Sequence, residues 1–182
     1  SILAIYLTDR VESIDNQLIT RQQIDVAIEH VLSDIQQVTV GNISGESSLD
    51  RRILSQVSVH LITKEAVGGR VGEILGAKLA DIVTNDNSVI LNVGSNSHRR
   101  LKTAAARRKI EFGHRLRPLW QNHISNWIKA ETNTLPKTRS TQAYLMGEAG
   151  NRSSLAYRNT VNIVAAQYLR NATGRRTEKQ HR

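Results

Sequence analysis

Apolar residues recur at intervals of three and four along two stretches of the N-terminal half, the spacing of one face of an α-helix. Thr20 and Gln23 have the spacing of a capping box just before the first stretch, which predicts a helix over 21–38. Ser47 or Ser48 can cap a second helix that ends near Thr63. The apolar positions are Ile24, Ile28, Val31, Ile35 and Val38 in the first helix and Leu49, Ile53, Val57 and Leu61 in the second.

The next region gives a mixed pattern. Apolar residues from Val71 to Ile82 predict a third helix that ends near Asn85. The run SVILNV at 88–93 lies between the turn-forming sequences TNDN and GSNS, and predicts a short strand or an extended connector. At the N-terminus, the apolar run at 2–7 fits a strand or the first turns of a helix, and its spacing favours neither.

Helical spacing returns in the C-terminal half. An apolar stripe predicts a helix that starts at His98, and Pro118 either ends this helix or occupies the first turn of the next one. A last helix carries Arg158 and Arg170 near the edges of its apolar stripe. The apolar positions of the three helices are Leu101, Ala105, Phe112, Leu116 and Leu119, then Trp120, Ile124, Trp127 and Ile128, then Tyr157, Val161, Val164 and Tyr168.

These patterns together predict a mainly α fold. We expect five to six amphipathic helices in one compact unit, with at most two short strands. A chain of 182 residues is long enough to bury a core of that size. Residues 173–182 are polar and basic, and contain too few apolar groups to offset the entropy of ordering, so we expect a loose tail there.

The formal net charge of +9 is divided unevenly along the chain. Residues 1–97 hold seven Lys/Arg and twelve Asp/Glu, a net charge of −5, whereas residues 98–182 hold eighteen and four, a net charge of +14. Such asymmetry is typical of a chain that keeps one region for proteins and another for polyanions. We therefore predict an acidic helical half at 1–97 for protein contacts, a basic helical half at 98–172 for nucleic-acid contacts and a flexible basic tail at 173–182.

The motifs of common enzyme classes are missing from the sequence. It has no P-loop, no G-x-S-x-G and no H-E-x-x-H, and the lack of cysteine excludes disulfides and thiolate metal sites. His98, His114 and His123 are too far apart along the chain to form an i, i+4 metal-binding pair. We therefore expect a protein that is not an enzyme and that has no cofactor and no bound metal.

The N-terminal run SILAIYL is too short to span a membrane or to form the apolar part of a signal peptide. We accordingly expect no membrane partner and no secretion signal. The expected location is intracellular, in the cytoplasm or nucleoid, or in a virion.

The densest positive charge lies between His98 and Arg117, where eight Lys/Arg stand against Glu111 alone. Guanidinium groups suit bidentate phosphate contacts, and neighbouring aromatic rings can stack on bases. The polar loop near Pro136 adds two more cations. The predicted nucleic-acid-binding residues are Arg99, Arg100, Lys102, Arg107, Arg108, Lys109, Arg115, Arg117, Trp120, Lys137, Arg139 and Tyr144.

Three other interpretations of this basic stretch remain open. It can bind an anionic membrane surface, but a helix that does so sets its apolar face against lipid, and here the fold needs that face as well. It can dock on an acidic protein, including the acidic half of a neighbouring copy. It can also be a solvated surface without any partner.

The function that these patterns favour is nucleic-acid binding by a self-assembling nucleocapsid or coat-type protein, in which the acidic half of one copy faces the basic half of the next. The expected partners are nucleic acid, with RNA or single-stranded DNA preferred over duplex, and further copies of the chain in a homo-oligomer. One alternative is a sequence-specific DNA-binding regulator or mobilisation protein with a recognition helix at SNSHRR. Another is a subunit of a ribonucleoprotein particle, which a basic tail would suit.

Overall fold

The computed structural model describes residues 19–40, 45–68, 71–85, 88–96, 99, 106–135, 143–147 and 155–173. Their contacts divide the chain into two compact units, one of Ser1–Leu61 with Asn159–Arg182 and one of Ile62–Arg158. The elements are α1 (Arg21–Val40), α2 (Gly45–Val67), α3 (Val71–Leu75), β1 (Ile82–Asn85), β2 (Ser88–Val93), β3 (Arg108–Glu111), α4 (Pro118–Asn133) and α5 (Leu155–Ala172). Helices α2 and α5 each continue from one unit into the other.

Helix α1 begins at the predicted capping box. The Thr20 N–H donates to Oε1 of Gln23 at 2.9 Å, and the Gln23 N–H donates to Oγ1 of Thr20 at 3.2 Å, so two N–H groups of the first turn are satisfied. Ile28 and Val31 of its apolar stripe are fully buried. In the same unit, the Tyr168 hydroxyl of α5 donates to the Asp34 carboxylate of α1. The prediction of this helix is confirmed.

Helix α2 is buried on every side along part of its length. All residues from 56 to 63 are buried, including Gln56, Ser58 and His60. The helix is therefore not the two-sided amphipathic helix that we predicted, and it extends past Thr63 to Val67. Its end is set by Gly68, which has a φ of 61° and donates its N–H to the Lys64 carbonyl, the left-handed conformation that favours glycine after a helix.

The predicted third helix is wrong beyond Leu75. Helix α3 ends there, a 3-10 turn covers Leu79–Asp81, and β1 follows. Strand β1 pairs antiparallel with β2, from Ile82 opposite Leu91 to Asn85 opposite Ser88. The β-branched residues of IVTN favour a strand once β2 is available as a partner, and this long-range pairing overrides the helical spacing. The alternative that treated 88–93 as a strand is confirmed.

The described part of the predicted helix after His98 is not α-helical either. Residues Arg108–Glu111 form β3, which pairs antiparallel with β2 so that Ile110 lies opposite Leu91 and Lys109 opposite Asn92. The strand order is β1-β2-β3, so β3 lies at an edge of the sheet. The alternating burial of β2, with Val89, Leu91 and Val93 buried, places the core on one face of this sheet.

The predicted fold class is therefore wrong. The described residues are mostly helical, but they include a three-stranded antiparallel sheet, and they belong to two compact units where we expected one. The cause is that local hydrophobic spacing favours a helix in these segments, whereas pairing with a strand distant in sequence favours a strand. A strand at 108–111 depends on a partner about twenty residues earlier, and helical periodicity alone does not report such pairing.

The helices of the C-terminal half agree better with the sequence. Pro118 occupies the first turn of α4, as one of our two alternatives stated, with Arg117 as the N-cap residue. Trp120, Ile124 and Ile128 form its buried face, and the helix contacts β1 in the same unit. In α5 the predicted stripe from Tyr157 to Tyr168 is buried. The apolar run at 2–7 and the tail after 173 lie outside the described residues.

Candidate nucleic-acid interface

The candidate interface is the segment 106–117, called here the basic segment. It runs through the edge strand β3, a 3-10 turn at Gly113–Arg115 and the N-cap of α4. The turn is held against β2, because the Phe112 N–H donates to the Val89 carbonyl at 2.9 Å. A Cβ added at Gly113 would lie 2.6 Å from the Val89 nitrogen, so only glycine allows this close approach.

All five Lys/Arg of the basic segment are exposed, and four of them are Arg107, Lys109, Arg115 and Arg117. In the described part of the chain, Arg107 and Lys109 have no bonding partner. Arg115 makes only a long contact of 3.5 Å to the Ala66 carbonyl. The Arg117 guanidinium lies 4.6 Å from the centre of the Trp120 ring, a cation–π distance.

Arg108 differs from these four because it is paired within the chain. Its Nη2 donates to Oε2 of Glu73 at 3.0 Å, and its side chain is 43% exposed. The pairing joins the start of β3 to α3. A phosphate would have to compete with the Glu73 carboxylate, so Arg108 is a weaker contact than its neighbours.

Arg99 lies in the interior, with 4% of its surface exposed. Its Nη2 donates to Oδ2 of Asp81 at 2.8 Å and its Nη1 donates to the Glu73 carbonyl at 2.9 Å. Its Nε donates to the Gly94 carbonyl. These bonds tie the end of β2 to α3 and to the turn before β1, so we assign Arg99 a structural role and leave it out of the interface.

The two aromatic candidates are also buried. Trp120 is part of the apolar face of α4, and Tyr144 lies in the fully buried segment 143–147. That segment pairs with the chain before β1: the Leu79 N–H donates to the Ala143 carbonyl, and the Leu145 N–H to the Ala77 carbonyl, each at 2.8 Å. Neither ring is placed to stack on a base in this conformation. Arg100, Lys102, Lys137 and Arg139 lie outside the described residues.

Arg158 is a residue of interest that the sequence pattern did not single out. It is only 2% exposed, and its guanidinium lies 4.5 Å from the centre of the Tyr144 ring. We had placed it near the edge of the apolar stripe of α5. A signal was present, because Ala165 and Leu169, which follow Arg158 by seven and eleven residues and therefore share its side of the helix, are buried apolar positions.

Burial changes the acid–base properties of three described side chains. It lowers the pKa of the His123 imidazole, of the Lys64 ammonium and of the Arg158 guanidinium, because a buried site disfavours the charged form. For Arg158, the charge interaction with Tyr144 acts in the opposite direction. Among the described residues, no group of three His, Cys, Asp or Glu side chains is arranged to hold a metal ion.

Comparison with known proteins gives no relative: no family model, curated protein or solved structure matches the chain. No helix in the described ranges combines the length and the apolar character needed to cross a membrane.

Proposed function

We propose that this protein binds the phosphate backbone of nucleic acid through the exposed cations of the basic segment. The observation that carries the proposal is the combination of Arg107, Lys109, Arg115 and Arg117 at the surface of one short segment. In the described part of the chain, Arg107 and Lys109 have no bonding partner, whereas Arg108 is paired with Glu73. Cations that carboxylates do not neutralise are available to release counterions from a polyanion.

The expected salt dependence follows from the number of cations. Each phosphate contact contributes about 0.7 to the slope of log K against log salt for single strands, and about 0.9 for duplex DNA. Four contacts therefore correspond to slopes of roughly −2.8 and −3.6. Contacts of this kind depend on charge and not on base sequence, which fits a protein that coats nucleic acid.

The more specific proposal is that the protein assembles with copies of itself into a nucleocapsid or coat. Strand β3 supports it, because one side of an edge strand has backbone N–H and C=O groups that the sheet does not pair and that a second copy can pair. The distribution of charge supports assembly less strongly than the sequence alone implied. Glu73 and Asp81 of the acidic half already bind Arg108 and Arg99 of the basic half within one chain.

The alternative of a regulator that reads the major groove with a helix at SNSHRR receives less support. Asn96 and Arg99 form an antiparallel bridge of the β type, with the Asn96 N–H donating to the Arg99 carbonyl at 2.9 Å. The buried guanidinium of Arg99 is also unavailable for base contacts.

The test is a binding experiment with matched variants. Fluorescence anisotropy compares single-stranded RNA, single-stranded DNA and duplex DNA of equal length, with the molar mass of the protein measured alongside. In R107A/K109A, the loss of two contacts should weaken single-strand binding about 25-fold at 0.1 M salt, taking the electrostatic contribution to vanish near 1 M. The control R51A/K129A removes the same charges from exposed positions elsewhere.

The proposal predicts that the control binds like the wild type. Equal losses in the two variants would mean that only total charge matters, and absence of wild-type binding to all three nucleic acids would refute the function itself. A multimer that protects a fixed length per subunit supports a coat. A dimer that prefers one duplex by about a thousandfold supports the regulator.

A further inference from the structure

Arg158 is a buried cation whose hydrogen-bonding capacity is not used. Within the described part of the chain, its Nε and Nη2 are both shielded from solvent and neither has a hydrogen-bond partner. The side chain is one of the largest that is fully buried. Buried donors in folded proteins are nearly always paired, so two unpaired donors on one charged group need an explanation.

The two unpaired nitrogens lie on the same edge of the guanidinium. The Nε–H bond and one Nη2–H bond point in parallel, and this edge is one of the two that bind a carboxylate or a phosphate through a pair of hydrogen bonds. The Tyr144 ring centre lies 4.5 Å from the guanidinium, over one face of its plane, and neither nitrogen of that edge has a hydrogen-bond partner.

The backbone on which this site is built is well connected. Tyr144 is fixed because its segment pairs with Lys78 and its neighbours on the chain before β1. Arg158 is fixed in the first turns of α5, on a side of the helix that also buries Ala165 and Leu169. A positioned guanidinium loses little freedom when it binds, which favours a specific ligand over a diffuse counterion.

We propose that the Nε–H and Nη2–H edge of Arg158, stacked on Tyr144, binds one phosphate group, either inorganic phosphate or a phosphodiester of nucleic acid. The second of these sources rests on the proposed function, and the first does not. A single buried positive charge matches one phosphodiester charge. Two phosphate oxygens would satisfy both unpaired donors at once, which removes the cost of burying them.

The experiment measures Tm against sodium phosphate concentration, with sodium chloride at the same ionic strength as the reference. A ligand that binds only the folded protein raises Tm progressively with its concentration. We expect this rise for the wild type. We expect no rise for R158M, which has a side chain of similar length without donors, and for R158K we expect at least a tenfold weaker apparent affinity, because an ammonium keeps the charge but lacks the parallel donors.

The same variants keep the test valid if one of them is poorly folded. Without phosphate, R158M should melt no lower than the wild type, because replacement of an unpaired buried charge by an apolar group is neutral or stabilising. The control R51M changes an exposed arginine and should keep the wild-type response. The proposal would be overturned if phosphate did not change the Tm of the wild type, or if R158M kept the phosphate response. It would also be overturned if acetate alone raised the Tm of the wild type and not that of R158M.

A second experiment distinguishes inorganic phosphate from a nucleic-acid phosphodiester as the ligand. It also tests the Arg158 site independently of the proposed function. A short oligonucleotide should displace inorganic phosphate from the wild type if the site takes a phosphodiester, and should leave it bound if the site takes only the free ion. R107A/K109A should keep the phosphate response of Tm while it loses affinity for nucleic acid. If it instead keeps full affinity for nucleic acid, the proposed function fails while the Arg158 site stands.

Discussion

Replacement of Arg99 by alanine tests whether this arginine holds the fold together or contacts a ligand. The side chain is 4% exposed and binds the Asp81 carboxylate and the carbonyls of Glu73 and Gly94. Removal of one partner of a buried ion pair costs about 3–5 kcal/mol, because the remaining charge is left without a partner.

The expected cost lies at the lower end of that range. The Asp81 side chain is 24% exposed, and its Oδ2 also accepts the Lys78 N–H at 2.9 Å, so it keeps water and one donor after the arginine is lost. We therefore expect R99A to lower the free energy of unfolding by about 3 kcal/mol. Arg107→Ala, at an exposed position without partners, should change it by no more than about 0.5 kcal/mol.

Urea denaturation followed by tryptophan fluorescence is the suitable assay. Trp120 and Trp127 both lie on α4, in the same compact unit as Arg99, so the signal reports the unit that the variant disturbs. With a urea dependence of about 2 kcal/mol/M, the midpoint should fall by roughly 1.5 M. A shift below about 0.3 M, together with a loss of nucleic-acid affinity in the folded variant, would refute the structural role and return Arg99 to the interface.

Two further predictions concern the stability of the fold, one at Gly113 and one at His123. Gly113→Ala should destabilise the fold by about 1–3 kcal/mol, because its Cβ would lie 2.6 Å from the Val89 nitrogen. The control Gly72→Ala has open space around its Cβ and should stabilise the fold by up to about 1 kcal/mol. The urea midpoints of the two variants and the wild type test this prediction. Because burial lowers the pKa of His123, the wild type should lose stability as pH falls below about 6.5, and this loss should be smaller in H123Q across pH 5–8. The same pH dependence in H123Q would contradict the second prediction.

Local signals in the sequence were sufficient for the helices whose caps and stripes lie close together along the chain. The capping box at Thr20 and Gln23 forms as predicted, Pro118 starts α4, and the stripe from Tyr157 to Tyr168 is buried in α5. In each case the decisive interactions lie within one helix or on one of its faces. Periodicity and capping chemistry report interactions of that range directly.

The sheet could not be predicted in the same way. Strand β3 consists of RKIE, which carries no alternation strong enough to identify a strand, and it forms because Ile110 lies opposite Leu91 of β2. β-propensity reports how well a residue fits its neighbours across strands, which a single sequence does not specify. A separate pairing, of β1 with β2, replaces the end of the predicted third helix, which stops at Leu75.

The candidate site was predictable in its charge but not in its geometry. The density of Lys/Arg identified the segment that holds Arg107, Lys109, Arg115 and Arg117, which are exposed. It did not show that Arg99 is buried, because its partner Asp81 lies eighteen residues away along the chain. Charged residues are usually exposed, so a buried arginine that pairs with a distant carboxylate is an exception that composition does not detect.

The central claim, that the exposed cations of the basic segment bind a phosphate backbone, is tested most directly by the salt dependence of binding to single-stranded RNA. The wild type and R107A/K109A are titrated over the same salt range, and log K is plotted against log salt. Loss of two phosphate contacts should reduce the magnitude of the slope by about 1.4. Slopes that agree within error would contradict the claim, because the two exposed cations would then release no counterions when RNA binds.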